Sequence, residues 1–258
     1  MPRFFVHSDA VRDGKIVITG DDAYHISRSL RMATGEPITV CDSAGREYEC
    51  VLEGFSDRTV TARVEDVHAS ATEPDFYAHV FQGLPKGDKV ETVIQKSVEC
   101  GASEITLFES EFCVAKAKPD NEKSKTERRM RIAAEAAKQC GRGLLPVVHS
   151  TVSFREALQI AAETCDAILF CFEGEGTKPL GDCLIPLLKR TGESAKAKPK
   201  IAVFVGSEGG FSSREAAMAV EAGAQLCNLG RRILRTETAA SFVLACLVFC
   251  TELCREVF

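Results

Sequence analysis

A chain of 258 residues, 45% of them hydrophobic, carries enough apolar material for a sizeable core, as one large domain or a large one with a smaller companion. Its formal net charge of -5 gives no support for bulk electrostatic attraction to nucleic acid, so any RNA contact must come from local patches. The twelve cysteines are scattered, form no C-x-x-C pair and often sit in apolar runs such as the one around Cys171, which points to free thiols in a reducing cytoplasm.

The first residues, M-P-R-F-F-V-H, lack a basic segment followed by a long apolar one, so no secretory signal is expected. From Arg3 to about Val67 short apolar runs alternate with turn residues: F-F-V, K-I-V-I-T after Asp13-Gly14, P-I-T-V-C, Tyr48 to Phe55, and T-V-T-A-R-V. This spacing predicts a small β-rich, barrel-like domain over 1–70. One helix, Asp22 to Met32, interrupts it and sets His25, Arg28 and Arg31 near one face. A linker follows at His68 to Asp75.

From 75 to 258 strands and helices alternate, the pattern of an α/β domain. The expected strands are Tyr77 to Leu84, Ile105 to Phe108, Ala167 to Phe172, Ile201 to Val205 and Gln225 to Asn228. Helices are expected over Asp88 to Cys100, Glu122 to Cys140, Phe154 to Thr164 and Pro179 to Arg190, and from about Ser213, with a charged surface loop at 191–200. In the last helix, the apolar run Ala239 to Cys250 is too short to span a bilayer and reads as a buried helix that meets a subunit contact. Cys246, Cys250 and Cys254 recur every four residues there; zinc sites use closer pairs or added histidines, and no metal is expected.

Two loops carry the chemistry. G-S-E-G-G-F, Gly206 to Phe211, leaves the strand Ile201 to Val205, and its glycines let a ligand approach the main chain. Ser212 and Glu215 then have capping-box spacing. The loop matches neither the phosphate loop of NTPases nor the dinucleotide fingerprint. L-G-R-R-I-L-R-T-E-T-A-A, Leu229 to Ala240, leaves the strand Gln225 to Asn228 and crowds Arg231, Arg232 and Arg235 beside Glu237 in a first helical turn. Loops leaving strand ends in this way form ligand sites in α/β proteins.

Charge gives two further patches. Between Lys116 and Arg142 nine basic residues face four acidic ones, a pattern more often a solvated helix face than a binding surface. Lys86, Lys89 and Lys96 form the second group. Residues 1–70 hold eight basic and twelve acidic side chains, so this segment is not basic as a whole.

Taken with P-R-F-F at Pro2 to Phe5, H-x-x-x-x-L-R at His25 to Arg31, L-P-K-G-D-K at Leu84 to Lys89, Q-K-S-V-E-C-G at Gln95 to Gly101 and the run Glu127 to Arg142, the two loops resemble one family along the whole chain. It is the ribosomal RNA small subunit methyltransferase E family, the 16S rRNA (uracil-1498-N3) methyltransferases of the SPOUT superfamily. The resemblance implies a small PUA-like β-barrel domain that helps hold RNA and a SPOUT-type α/β domain with a deep trefoil knot. It also implies a homodimer, S-adenosylmethionine as methyl donor, and methylation of a uridine N3 of 16S rRNA in the 30S subunit, with neither membrane nor metal. Carried onto this sequence, the family's cofactor pocket falls on Phe172, Glu173, Gly206, Glu208, Gly209, Gly210, Leu229, Gly230, Ile233, Leu234 and Arg235. Ser207 stands where the family commonly has proline.

Methyl transfer from a sulfonium is an in-line displacement, so positioning dominates. Uridine N3 must lose a proton, which calls for a general base or for cations that stabilise the anion. Arg142 and Arg235 are the candidates for stabilising the base or its phosphate, and Glu237 or Glu208 for the base. Arg3, Arg28, Arg31, Lys86 and Lys96 are the candidate RNA contacts. Two other readings remain open at this point: a SPOUT methyltransferase acting on another RNA such as tRNA, and a non-catalytic RNA-binding or ribosome-assembly protein.

Overall fold

The computed structural model describes residues 1–42, 44–117, 119–193 and 198–254. Contacts divide the chain into two units, one of Met1–Glu73 with Ala137–Leu145 and one of Pro74–Ala136 with Pro146–Phe258.

In the first unit the strands are β1 (Arg3–Val6), β2 (Val11–Arg12), β3 (Lys15–Thr19), β4 (Pro37–Asp42), β5 (Arg46–Phe55) and β6 (Thr59–Ala69). They form one sheet in the order β1-β4-β5-β6-β3-β2, antiparallel except for the parallel β1–β4 pair. In β3 Ile16 and Ile18 are buried while Lys15, Val17 and Thr19 face outward, the two-residue period of a half-covered strand. With Phe4, Ile26, Ile38, Val40, Leu52 and Val60 they make the core. Register shifts after Glu49 and Leu52 break the β5–β6 ladder, and such bulges bend a sheet.

The expected helix Asp22 to Met32 is shorter. Helix α1 (Gly20–Tyr24) runs into a π-helical turn, His25–Ser29, where the Leu30 N–H reaches back five residues to the His25 carbonyl at 2.9 Å. The wider turn ends the helix, and Arg31, at φ +53°, leaves the face that His25 and Arg28 share.

The second unit is a seven-stranded sheet, wholly parallel, in the order β11-β13-β10-β12-β7-β8-β9. Its strands are β7 (Tyr77–Gly83), β8 (Ala102–Glu109), β9 (Val147–Ser153), β10 (Ala167–Cys171), β11 (Lys178–Pro179), β12 (Lys200–Val205) and β13 (Gln225–Asn228). The helices are α2 (Lys89–Glu99), α3 (Pro119–Cys140), α4 (Phe154–Thr164), α5 (Leu180–Glu193), α6 (Ser213–Glu221) and α7 (Thr236–Val248), the last continuing as a π-helical turn over Phe249–Leu253. Residues 194–197 of the charged loop expected at 191–200 lie outside the described residues, and its first three residues belong to α5.

In β12 every residue after Lys200 is buried, as in a strand covered on both faces. One face holds an aromatic core in which Phe81 stacks on Phe204 at 4.6 Å and Phe211 lies 4.1 Å from Phe170, closed by Phe154, Ala157, Leu158 and Ala161 of α4 and Ala216 and Ala219 of α6. Side chains alternate along β7, so Gln82 points to the opposite face, where α7 packs on α2, β7 and β12. Thr236–Leu253 is one 18-residue helical stretch, apolar enough by length and composition to cross a membrane. Its Ala239, Ala240, Val243, Leu244 and Leu247 are nevertheless buried within this unit.

Candidate cofactor site at the strand ends

Strands β13, β10 and β12 are neighbours in the sheet, and the loops leaving their C-terminal ends enclose a cavity of about 930 Å³. Cys171 to Gly174, Val205 to Phe211 and Cys227 to Arg235 supply most of its wall, and Lys89, Thr236, Glu237 and Ala239 complete it. Crevices beyond the carboxyl ends of parallel strands are where open α/β sheets bind ligands.

The Gly206 to Gly210 loop is shaped by its glycines. A Cβ on Gly206 would lie 2.9 Å from the Gly210 Cα, and one on Gly209 would lie 2.7 Å from the Phe112 Cβ. Ser207 and Gly210 bridge each other, with the Gly210 N–H donating to the Ser207 carbonyl at 2.9 Å. Phe211 anchors the loop in the aromatic core, and the capping box of Ser212 and Glu215, expected from spacing alone, starts α6.

Gln82 holds this loop to the start of α7. Its Nε2 donates to the Thr236 Oγ1 at 2.8 Å and to the Gly206 carbonyl at 3.2 Å, while the Thr236 hydroxyl donates to the same carbonyl at 2.6 Å. Gly83 is equally constrained: a Cβ there would meet the Ser207 nitrogen at 2.6 Å. Gly83→Ala is therefore expected to push the loop outward and to cost about 1–3 kcal/mol of stability, checkable by thermal unfolding.

Charge gathers at one side of the cavity. Lys89 Nζ donates to Glu208 at 2.8 Å and lies 3.8 Å from the Glu237 Oε2. Glu208 also accepts from the Lys86 N–H at 3.2 Å. Burial opposes its ionisation, but the Lys89 hydrogen bond and the amides around it hold its carboxyl below the usual range. Glu237, in the first turn of α7, has one buried carboxylate oxygen with no hydrogen-bond partner. Arg235 precedes that turn with its side chain 82% exposed, 3.8 Å from Glu237. On the floor Cys171 and Cys227 are register partners, and the neighbouring Cys227 side chain together with burial pushes the Cys171 thiol up.

The structure thus brings Phe172, Glu173, Gly206, Glu208, Gly209, Gly210, Leu229, Gly230, Ile233, Leu234, Arg235 and Glu237 to one cavity. Gln82, Thr236 and Lys89 were not among the expected site residues. L-P-K-G-D-K was the available signal for Lys89; Gln82 reads from sequence as one more residue of a strand.

Other expected residues have different partners. Arg142 is buried, donating through Nη2 to Glu73 at 2.6 Å and through Nε at 3.2 Å, while the same carboxylate accepts from the Gly143 and Leu144 amides. Arg3 pairs with Glu47 at 2.9 Å and donates to the Cys41 thiol and the Arg142 carbonyl. These arginines tie the first unit together and are largely withdrawn from solvent, and neither lines the cavity. Arg28, Arg31 and Lys86 are exposed, and Lys96 pairs with Glu99 at 2.8 Å. Much of the basic run Lys116 to Arg142 is also paired: Arg128 with Glu91, Arg129 with Glu122, Lys138 with Asp22. Lys118 lies outside the described residues.

Comparison with known proteins defines the class. Residues 72–248 match the RNA methyltransferase domain family and residues 18–65 the RNA methyltransferase PUA domain family. The chain is 34% identical to ribosomal RNA small subunit methyltransferase E of Bacillus subtilis, over 92% of this chain and 91% of the relative. It superposes with a TM-score of 0.80 on ribosomal RNA small subunit methyltransferase E of Neisseria gonorrhoeae bound to S-adenosylmethionine, at 27% identity over 96% of this chain and 97% of that one. A chain from Legionella pneumophila, solved with the same cofactor, also gives 0.80, at 28% identity over 95% of this chain and 96% of that one. Fold and site are those of an RNA methyltransferase with a PUA domain. Within that class, the chain belongs to the ribosomal RNA small subunit methyltransferase E family.

Proposed function

We propose that this protein transfers a methyl group from S-adenosylmethionine to the N3 of a uridine in 16S rRNA of the small ribosomal subunit. The observation that carries the reading is the cavity at the ends of β10, β12 and β13, floored by backbone that only glycine permits at Gly206 and Gly209. Its volume of about 930 Å³ suits a ligand of this size. Amides of the Gly206 to Gly210 and Leu229 to Arg235 turns would hold the polar parts of the cofactor. Ile233, now 82% exposed, and Leu234 would cover its apolar surface. Arg235 begins α7 without a side-chain cap, leaving the first amides of that helix to face an anionic group.

When bound, S-adenosylmethionine supplies an electrophilic methyl on a sulfonium. The protein's own task is to orient the uracil and take its N3 proton. Glu208 is already committed to Lys89 at 2.8 Å and to the Lys86 amide, whereas Glu237 Oε2 has no hydrogen-bond partner and lies 3.8 Å from the Lys89 ammonium. Glu237 is the proton acceptor in this reading. Lys89 and Arg235 flank it and stabilise the negative charge that develops on the base.

RNA would be held by the PUA unit, with exposed Arg28 and Arg31 meeting phosphates, and by Lys86. The reading includes the family's trefoil knot, homodimer and cytoplasmic location. Phe242, Phe249 and Leu253 lie at helical spacing along the last helix and are exposed, an apolar face for the second copy. Phe249→Glu is expected to yield a folded monomer by light scattering; an unchanged dimer would place the interface elsewhere.

The deciding assay is methyl incorporation from labelled S-adenosylmethionine into unmodified 30S subunits, naked 16S rRNA and tRNA, with the product nucleoside identified by mass spectrometry. 3-Methyluridine in the 30S subunit is expected. Modification of tRNA alone would move the substrate to another RNA, and no incorporation by folded protein would favour a binding role.

A further inference from the structure

At the other end of the parallel sheet, near the N-termini of the strands, three side chains on adjacent strands converge on one point. His79 of β7 is the register partner of Glu104 of β8, and His149 of β9 lies two residues beyond the partner of Glu104, so all three project from one face. Their nearest ligand atoms lie within 4.8 Å of one another. His149 Nε2 and Glu104 Oε2 are in hydrogen-bond contact, and His79 Nδ1 is 3.8 Å from the same oxygen, beyond hydrogen-bond reach.

The surroundings are those of a supported ligand set. His79 is buried and stacked on Phe81 at 4.0 Å, and its Nε2 is paired with the Thr106 Oγ1 at 2.7 Å. Thr106 can accept from Nε2–H, the tautomer that leaves Nδ1 as the ligand atom when a metal is bound. The Tyr77 hydroxyl donates to the other Glu104 oxygen and fixes its orientation.

We propose that His79, Glu104 and His149 form a divalent metal site, with zinc the ion that two imidazoles and one carboxylate suit best. Ligand atoms on a tetrahedral zinc stand about 3.4 Å apart. The His79–Glu104 separation of 3.8 Å needs little adjustment, and the His149 ring, 42% exposed on the edge strand, is free to swing by about 1 Å. That exposure is also the entry path. Water takes the fourth position. Zinc takes the place of the hydrogen held between His149 and Glu104, and the imidazole keeps its one N–H on Nδ1. The site staples the half-polar edge strand β9 to β8 and β7, and it is remote from the cavity at the opposite strand ends.

The test uses the full chain, stripped with a chelator and titrated with zinc and with cobalt(II). Expected are one zinc per chain, a rise in thermal stability on binding, and a cobalt spectrum dominated by ligand-field bands with no thiolate charge-transfer contribution. His149→Gln, at a half-exposed position that leaves the core intact, is expected to weaken zinc binding at least about 100-fold and to remove the thermal shift. Thr106→Val is expected to weaken it about 10-fold by releasing the His79 tautomer. No stoichiometric uptake, equal uptake by folded His149→Gln, or a cobalt spectrum with thiolate charge-transfer bands would overturn the site and leave a hydrogen-bonded ion pair in its place.

Discussion

Exchanging Glu237 for glutamine is expected to slow methyl transfer by about 10²- to 10⁴-fold, the range for loss of a positioned proton acceptor. The substitution keeps the shape of the side chain, and Lys89 retains its bond to Glu208 at 2.8 Å, so the site should remain assembled. Cofactor affinity, measured by calorimetry, should change little, because a proton acceptor acts in the reaction rather than in binding. A loss of affinity with an unchanged turnover rate would instead make Glu237 a binding residue. Turnover within a few-fold of the parent would mean that the proton leaves by another route and that Lys89 and Arg235 carry the catalysis by stabilising the anion of the accepting base. Lys89→Met, assayed beside it, distinguishes that case by losing turnover when Glu237→Gln does not.

Arg142→Ala is expected to destabilise the N-terminal unit by about 3 kcal/mol, because it strands the half-buried Glu73 carboxylate without its guanidinium. The Gly143 and Leu144 amides still donate to that carboxylate, which keeps the cost from rising further. Methyl transfer per folded molecule should persist. Chemical denaturation followed by circular dichroism, read against activity below the transition, separates the outcomes. Full stability with abolished turnover would return Arg142 to the chemistry.

The structure explains why some of this was readable in the chain and some was not. Local rules sufficed where one segment decides its own conformation. Ser212 and Glu215 start α6 through a capping box, and the apolar run Ile201 to Val205 could only be a covered strand. Gly206, Gly209 and Gly210 marked a close backbone approach for the same reason. Strand β9 escaped notice because V-V-H-S-T-V-S is half polar, as an edge strand can be, and its pairing with β8 is a tertiary fact. The helix after Gly20 was drawn too long because apolar spacing does not distinguish an α turn from a π turn. Gln82 and Thr236 lie far apart in sequence and acquire meaning only when β7 and α7 meet over Gly206. The partner of Arg142 was hidden for a related reason: Glu73 lies 69 residues away and meets it only in the folded unit.

The division of the chain bears on how the protein can be cut, shuffled or inherited. Met1–Glu73 does not suffice for its own unit, since Ala137–Leu145 returns to it from the middle of the other and brings the arginine that Glu73 needs. The backbone therefore passes between the units three times, and no single cleavage separates them. A fragment ending near residue 73 would expose an acidic socket with nothing to fill it. Genetic exchange of the N-terminal unit between relatives would have to carry two separate stretches of coding sequence, so the two units are bound to vary together rather than be swapped as beads on a string.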